Sequence, residues 1–366
     1  MEKIRLLNQA QDFKKLGINP NNIQSWEDGR RDNSKPGTQE VWYFDAILDD
    51  ETKVVCYFHP RTPTNLAVDG DNPDIGILIT TPDNKTHGQM IIPYPAKDSY
   101  FGTDKCDVKI GPHTVQGDFK NYQIHIEPVN GNGLDLHFKA LVDPFAQGGT
   151  GIIALGNEEQ YHYTDLPVVK NEVTGSITIE GKKKEVTGLG YHDHQWMNIS
   201  QFQAWHHWLW GHLYTENYTV YIYDFVANER FGFTNVPFFG VMDNKTGKVI
   251  FSTDGHVEKQ TTLEPQKDTG KEFPKKSTYT FTNADGATVK FKTEWYQEIE
   301  VRNMYGNADE ATKAKYDAGN MSPVYVRYGA KGTVTITDKN GQLITETGDM
   351  IYEYPYLGVP DKRANV

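Results

Sequence analysis

The chain has 366 residues, of which 23% are charged and 37% hydrophobic, as is typical of a soluble globular protein. Its formal net charge of −12 excludes a typical nucleic-acid-binding protein, because such proteins neutralise phosphates with an excess of lysine and arginine. Two cysteines, Cys56 and Cys106, make no disulfide framework and match no zinc spacing, so both are predicted to be buried thiols. The sequence has no secretory signal and no apolar run of the ~18 residues needed to span a membrane, so a cytoplasmic protein is expected.

Alternation of apolar and polar residues dominates the chain and predicts strands along its whole length. A short helix is predicted at residues 8–16 and a second, on the surface, at Ala308–Ala318. Dipeptides such as Asn130-Gly131 are typical of hairpin turns. The predicted strands are residues 40–48, 53–59, 75–80, 121–127, 134–142, 175–180, 184–190, 203–214, 218–226, 278–283, 288–295, 324–338 and 342–353.

Strands of this length, joined by hairpin turns and without βαβ spacing, predict an all-β protein. Two antiparallel β-barrels in tandem, with few short helices, are the economical arrangement for a chain of this length. Helix should account for less than about 15% of the residues, well below the globular average. The segment Asp165–Glu172 is the predicted junction, so the two domains are predicted to cover residues 1–170 and 171–366.

Two motifs resemble those of a known family. Val173–Trp196 (VTGSITIEGKKKEVTGLGYHDHQW) is similar to a strand of the type G-x-l-x-i-x-G-k that leads into v-x-G-x-g-y-x-D-H-x-W-G. Glu40–Asp45 (EVWYFD) is similar to the segment E-W-W-Y-F-D. Together they resemble the AttH-like and carotenoid 1,2-hydratase (hydroxyneurosporene synthase) family. The chain departs from that pattern at Val41, which replaces a Trp, and at Met197, which replaces a Gly.

The resemblance implies a pair of lipocalin-like β-barrels in one chain. Members of the family include hydratases that add water to an isoprenoid double bond, and relatives that resemble intramolecular Diels–Alder cyclases. The His and Trp of the family motif correspond to His194 and Trp196. The functional Tyr and Asp of the following strand correspond to Tyr221 or Tyr223 and to Asp224.

The region His192–His212 holds five of the twelve histidines and four of the seven tryptophans. Alternation places His192, His194 and Trp196 on one face of a strand, and Trp208 and Trp210 together on a face of the next. The predicted catalytic residues are Asp224, His194 and Tyr223, and the predicted substrate-binding residues are Trp42, Trp196, His192, Trp208, Trp210 and Tyr221.

Asp224 lies in the aromatic run VYIYDF as a single carboxyl group. A carboxyl group that is desolvated among rings stays protonated near neutral pH and can protonate an alkene. Indole and phenol faces can stabilise the carbocation, and the His194 imidazole can deprotonate the attacking water. These residues predict a cofactor-independent hydratase or lyase acting on a C=C bond of an apolar, isoprenoid-like or polyketide-like small molecule.

Other interpretations fit the same residues. A non-catalytic protein that binds a hydrophobic ligand would need the same aromatic pocket, and so would a pericyclase that preorganises its substrate. His192 and His194 have the spacing of two metal ligands, but no third ligand is evident, so no metal site is predicted. Asp193 and His194 could instead form a hydrogen-bond network that joins the two domains. The neighbours His206 and His207 are predicted to divide between the two faces of their strand, with one of them solvated. No feature of the sequence indicates an oligomeric state.

Overall fold

A computed structural model describes residues 2–63, 65–157, 162–253, 257–283, 286–337 and 340–364. Strand accounts for 58% of the residues and helix for 10%, and the two sheets are curled antiparallel half-barrels. The predicted all-β class with few short helices is therefore confirmed. The chain divides into two compact units, an N-terminal unit formed chiefly by residues 7–200 and a C-terminal unit formed chiefly by residues 201–366.

The first half of the chain forms one long antiparallel sheet. Its strands follow the spatial order β5-β4-β3-β2-β13-β12-β10-β9-β8-β7-β6, with β11 beside β12. These labels denote β1 (Ile4–Leu6), β2 (Gln39–Leu48), β3 (Lys53–His59), β4 (Asp74–Thr80), β5 (Thr86–Pro93), β6 (Ser99–Phe101), β7 (Asp107–Ile110), β8 (His113–Gly117), β9 (Asn121–Val129), β10 (Asn132–Ala140), β11 (Ile152–Leu155), β12 (His162–Ile179) and β13 (Lys182–Met197).

The predicted junction at Asp165–Glu172 lies inside strand β12, so it is not a linker. Its polar residues and Pro167 suggest a loop, but the strand continues past an irregularity between Val168 and Asn171. Strands β12 and β13 pair with each other, and β2 pairs over its whole length with residues Gly188–Met197 of β13. The boundary between the compact units therefore falls near Ser200 and not near residue 170.

Strand β2 shows the predicted alternation, with a buried residue at every second position. Trp42, Phe44 and Ala46 are buried in the interior core, whereas the residues between them are half-buried. The turn between β9 and β10 is formed by Asn130 and Gly131 with φ values of 52° and 80°, the left-handed geometry of a tight hairpin. Cys56 and Cys106 are free and buried, as predicted.

The second half of the chain forms a nine-stranded antiparallel sheet in the order β17-β16-β15-β14-β22-β21-β20-β19-β18. Its first strand, β14, pairs with its last, β22. These strands are β14 (Trp205–Tyr214), β15 (Tyr218–Ala227), β16 (Asn235–Asp243), β17 (Val249–Ser252), β18 (Glu258–Pro265), β19 (Glu272–Thr282), β20 (Thr288–Arg302), β21 (Met321–Thr337) and β22 (Leu343–Gly358).

Strands β14 and β15 are buried on both faces along almost their whole length. Leu209 of β14 and Val220 and Ile222 of β15 belong to the interior core of the C-terminal unit. Asp224 shares their face, because it lies two residues after Ile222 and directly opposite Leu209. Trp208, Trp210, Tyr221 and Tyr223 therefore lie on the opposite face of the sheet.

Helices are short and few in the described segments. Both predicted helices are confirmed, and Asp309 caps the second by accepting a hydrogen bond of 2.7 Å from the main-chain N–H of Thr312. None of the helices in these segments is long and apolar enough to cross a membrane. The helices are α1 (Ala10–Leu16), α2 (Gln201–Ala204) and α3 (Glu310–Ala318), with 3-10 turns at Ser25–Asp28, Ala96–Asp98, Gln147–Gly149, Glu229–Phe231 and Lys362–Ala364.

Candidate functional site

The predicted site residues fall into two groups, one in each unit. The N-terminal unit holds Trp42, His192, His194 and Trp196. The C-terminal unit holds Trp208, Trp210, Tyr221, Tyr223 and Asp224.

His194 is bonded through both of its ring nitrogens. Nε2–H donates to Oε1 of Glu40 over 2.8 Å, and Nδ1–H donates to the main-chain oxygen of Glu27 over 3.2 Å. Both ring nitrogens are therefore engaged by groups of the protein. The ring stacks on Trp42 with centroids 4.6 Å apart and contacts the half-buried Trp196 at 4.8 Å. Neither nitrogen of His194 is open to a water molecule.

His192 is held in a similar way. Its Nδ1–H donates to the main-chain oxygen of Tyr43 over 2.9 Å, and its ring stacks on Phe44 at 4.1 Å. Oδ1 of Asp28 lies 3.6 Å from Nε2, and Oδ2 accepts a hydrogen bond of 2.7 Å from the Tyr122 hydroxyl. Burial, followed by the charge of Asp28, raises the pKa of Tyr122 well above its usual value, so the phenol remains a donor.

These residues form what we call the His194 cluster, and it is sealed. Glu40, Trp42, His192 and His194 have 0% of their surface exposed, which leaves no water-sized space beside them. The cluster connects the segment before β2 to the sheet through side-chain contacts. Its members are Asp28, Glu40, Trp42, Tyr122, His192 and His194.

Asp193 points to the other face of β13. Its Oδ2 accepts hydrogen bonds from the Tyr191 hydroxyl over 2.7 Å and from the Gln195 amide over 3.0 Å. Burial raises the pKa of Asp193 to about 6. These partners belong to the N-terminal unit, and the network between domains remains a prediction. Across the described residues, no group of three or more His, Cys, Asp or Glu side chains is arranged to hold a metal ion.

Asp224 is not the isolated carboxyl group that the sequence suggested. Its Oδ2 accepts hydrogen bonds of 3.0 Å from the Lys259 ammonium and of 3.0 Å from the Tyr279 hydroxyl. Its Oδ1 accepts one of 2.5 Å from the Asn235 amide. Three hydrogen-bond donors, one of them a cation, therefore face the Asp224 oxygens. Lys259 of β18 and Tyr279 of β19 are cross-strand partners, so the pairing register of these two strands places both side chains at Asp224.

A cavity of about 440 Å³ adjoins this carboxylate. Two of its lining residues, Asn235 and Lys259, bond Asp224 directly. Asp224 is 2% exposed and Lys259 is 18% exposed, so the lysine connects the buried acid to the cavity. The volume suits a small organic molecule. The cavity is lined by Val226, Phe233, Asn235, Val257, Lys259, Thr261 and Ala364.

The prediction for His206 and His207 is wrong, because both are buried and they touch each other. Trp205 pairs with Ala227 and His207 pairs with Val226, so β14 has one extra residue at His206. This bulge interrupts the alternation and brings the two imidazoles together, with 2.7 Å between their Nδ1 atoms. Burial lowers the pKa of both rings.

Comparison with known proteins identifies the family. Residues 27–319 match a family described as a domain of unknown function, DUF7064. The chain belongs to this family. No curated protein matches the sequence.

Solved structures share the fold of this DUF7064 protein. A putative AttH from Nitrosomonas europaea is 12% identical with a TM-score of 0.57, over 90% of this chain and 95% of that one. CghA with Sch210972 is 11% identical with a TM-score of 0.60, over 88% and 89%. Kievitone hydratase from Nectria haematococca is 14% identical with a TM-score of 0.54, over 91% and 93%. The predicted AttH-like fold is thereby confirmed, and likeness at these identities extends to the fold alone.

In this DUF7064 chain, the aromatic residues that were predicted to bind substrate beside Asp224 lie on the other face of its sheet. Trp208, Tyr223 and Phe225 pack against one another, with ring centroids of Tyr223 and Phe225 3.9 Å apart. Their face of the sheet is opposite to that of Asp224, so Tyr223 and Asp224 do not meet. Other residues, which the sequence did not indicate, contact Asp224 or line its cavity. They are Asn235, Lys259, Thr261 and Tyr279.

Proposed function

We propose that this protein is a cofactor-independent hydratase or lyase that acts on a C=C bond of an isoprenoid-like or polyketide-like small molecule. The observation that supports this most is the buried Asp224 carboxylate, held by Lys259 and Tyr279 beside a cavity lined by both apolar and polar side chains. The fold that the chain shares with kievitone hydratase is consistent with the same reaction class.

In this proposal Asp224 acts as the base, and its position beside Lys259 and Tyr279 supports that role. A water molecule in the cavity gives a proton to the carboxylate while its oxygen forms a bond to one alkene carbon. The π electrons move to the other carbon, which takes a proton from the Lys259 ammonium or the Tyr279 phenol. Asp224 then returns its proton to that donor, and no redox partner is needed. The reverse sequence eliminates water.

This chemistry selects the kind of alkene. An ammonium or a phenol is a far weaker acid than a carboxylic acid, so it protonates only a carbon that already carries negative charge. Such charge develops when the double bond is conjugated with a carbonyl group. The proposed substrate is therefore an apolar molecule with a conjugated, polarised alkene.

Incubation in H₂¹⁸O with a panel of conjugated enones, half of them with prenyl or polyketide-type tails, tests the proposal by mass spectrometry. We expect at least one enone to gain one molecule of labelled water. Tight binding of a probe without any conversion would identify a binding protein. Conversion of a polyene without uptake of label would identify a pericyclase. Either result would overturn the hydratase proposal.

A further inference from the structure

The histidine pair in the bulge of β14 has no role in the reaction above. His206 and His207 are 3% and 1% exposed, and they lie on a strand that also bears Leu209, the cross-strand partner of Asp224. Bulges redirect side chains and are common beside active sites. Here the bulge produces a contact between consecutive imidazoles that a regular strand cannot make.

The hydrogen bonds of this pair fix the tautomer of each ring. The main-chain oxygen of Val359 lies 2.8 Å from Nε2 of His206 and can only accept, so that nitrogen carries the proton. In the neutral ring, Nδ1 of His206 is then an acceptor. It accepts a hydrogen bond over 2.7 Å from Nδ1–H of His207. Nε2 of His207 is left as a lone pair.

That lone pair has no hydrogen-bond partner among the described residues. A buried acceptor without a donor costs free energy, so a bound molecule that supplies a donor at this atom gains by removing that cost. The Oγ1 atom of Thr261 is a second buried polar atom without a hydrogen-bond partner in the described part of the chain. Thr261 also lines the 440 Å³ cavity.

His207 lies on the interior side of the sheet, close to Asp224. Its cross-strand partner Val226 lines the cavity and stands two residues after Asp224. Its ring stacks on Tyr354 with centroids 5.5 Å apart. Burial, and then the charge of Asp224, raises the pKa of Tyr354 well above its usual value. Asp224, Tyr354 and His207 are therefore neighbours.

Burial keeps the His207 ring neutral, and the positive charges around it add to this effect. Burial is the main cause of its lowered pKa, followed by nearby positive groups. A neutral ring retains the lone pair that a protonated ring would lose. The titratable groups near the pair are Lys259, Lys271, Tyr354, Tyr356 and Asp361.

We infer that His207 is a specificity-determining residue whose Nε2 accepts a hydrogen bond from a hydroxyl group of the ligand, and that His206 positions it. This inference rests on the proposed function and narrows the substrate class to apolar molecules that carry a phenol or alcohol. Since His207 is buried, binding includes movement of the Lys259 side chain, which is 18% exposed on the edge strand β18.

Two probes of nearly equal shape test the inference without turnover, namely 2-naphthol and 2-methoxynaphthalene, which lacks the donor. Calorimetry should show that wild-type protein binds the naphthol about tenfold to a hundredfold more tightly, the usual effect of an unpaired buried acceptor. His207→Phe should remove this difference. The surface variant His125→Gln, whose side chain is 33% exposed, should keep it.

Nitrogen NMR of histidine-labelled protein provides the second readout. We expect an unprotonated Nε2 for His207 and an unprotonated Nδ1 for His206, with the Nε2 signal of His207 shifted by naphthol. Equal affinity for the two probes, absence of binding by both, or a protonated Nε2 would overturn the inference. A failure of labelled water to enter any enone, with the naphthol preference intact, would remove the hydratase proposal and leave the hydroxyl acceptor standing.

Discussion

The two units each bury a carboxylate with histidines and aromatic rings, yet the two groups differ in their access to free space. Both groups contain buried polar atoms without a hydrogen-bond partner among the described residues, such as Oδ1 of Asp28 in the N-terminal unit and Nε2 of His207 in the C-terminal unit. In the N-terminal unit, the His194 ring is 0% exposed. In the C-terminal unit, Lys259 connects Asp224 to a cavity of about 440 Å³. Residue types alone would have ranked the first group higher, but free space favours the second as the place for chemistry.

The substitution with the largest expected effect on turnover is Asp224→Asn. The amide keeps the shape of the side chain but cannot take a proton from water, so turnover should fall by about 10²–10⁴-fold while probe affinity changes little. Uptake of ¹⁸O from labelled water measures the effect.

A matched control for this change is available on β22. Asp349 accepts hydrogen bonds from Lys331 over 2.6 Å and from Tyr296 over 3.4 Å, but it is 66% exposed. Asp349→Asn should retain full turnover. Equal activity of Asp224→Asn and the wild type would remove Asp224 from the mechanism.

The His194 cluster should respond in stability and not in chemistry. Glu40→Gln removes one partner of a buried pair and should lower the free energy of unfolding by about 3–5 kcal/mol in urea titrations. Glu294→Gln is the control, because Glu294 forms an exposed pair with Lys276 and should cost less than about 1 kcal/mol. Unchanged stability together with lost turnover would instead place the active site in the N-terminal unit.

Trp196 should matter less than its position in the motif suggests. Its ring is half-buried, whereas Trp42 is 0% exposed. Trp196→Ala should therefore lower the free energy of unfolding by about 1–2 kcal/mol, and Trp42→Ala by about 3–5 kcal/mol. Urea titration of both variants measures the difference. A larger loss for Trp196→Ala would mean that its ring carries more of the packing than its exposure indicates.

The buried side chain of Lys271 should make the stability of the protein depend on pH. Its ammonium donates to the main-chain oxygens of Ser322, Tyr356 and Gly358, and burial lowers the pKa of Lys271 to about 7. Between pH 7 and about 10.4, the value of a free lysine, the unfolded chain binds more protons than the folded one. The contribution of this group to stability should therefore rise with pH, by about 1 kcal/mol per unit.

Lys271→Met removes the titrating group, so the difference in unfolding free energy between wild type and variant should change with pH in that window. Urea titrations between pH 7 and 9.5 measure the slope. Lys276→Met, at an exposed position, should leave it unchanged. A slope identical in Lys271→Met and wild type would mean that the lysine keeps its proton throughout.

The fold was predictable because alternation and turn chemistry act locally. Strand β2 buries every second residue, and Asn130-Gly131 forms the turn that its sequence indicates. In β15, alternation places Asp224 on one face and Tyr221 and Tyr223 on the other, in agreement with the register. It could not tell which face of β15 is interior, because both faces are buried and apolar.

The rest of the site depends on contacts distant in sequence. Lys259 stands in EKQTTLEP, which reads as a solvated edge strand, and nothing local indicates that its ammonium reaches Asp224. The bulge at His206 adds one residue to a regular strand, which no periodic pattern reveals. The only sequence signal was the His206-His207 doublet itself.

In each sheet, one strand pair joins residues that are distant in sequence, and this affects the order in which the chain folds. Leu48 of β2 pairs with Gly188 of β13, and Leu213 of β14 pairs with Met350 of β22. During synthesis, the first member of each pair must wait for the second to leave the ribosome, and loop closure over such lengths slows folding. Glu40 and His194 meet only when β2 and β13 join, so the His194 cluster forms late. Because the side chains of the cluster can pack only after this slow pairing of the strands, their loss should chiefly accelerate unfolding, so the cluster prolongs the lifetime of the folded protein.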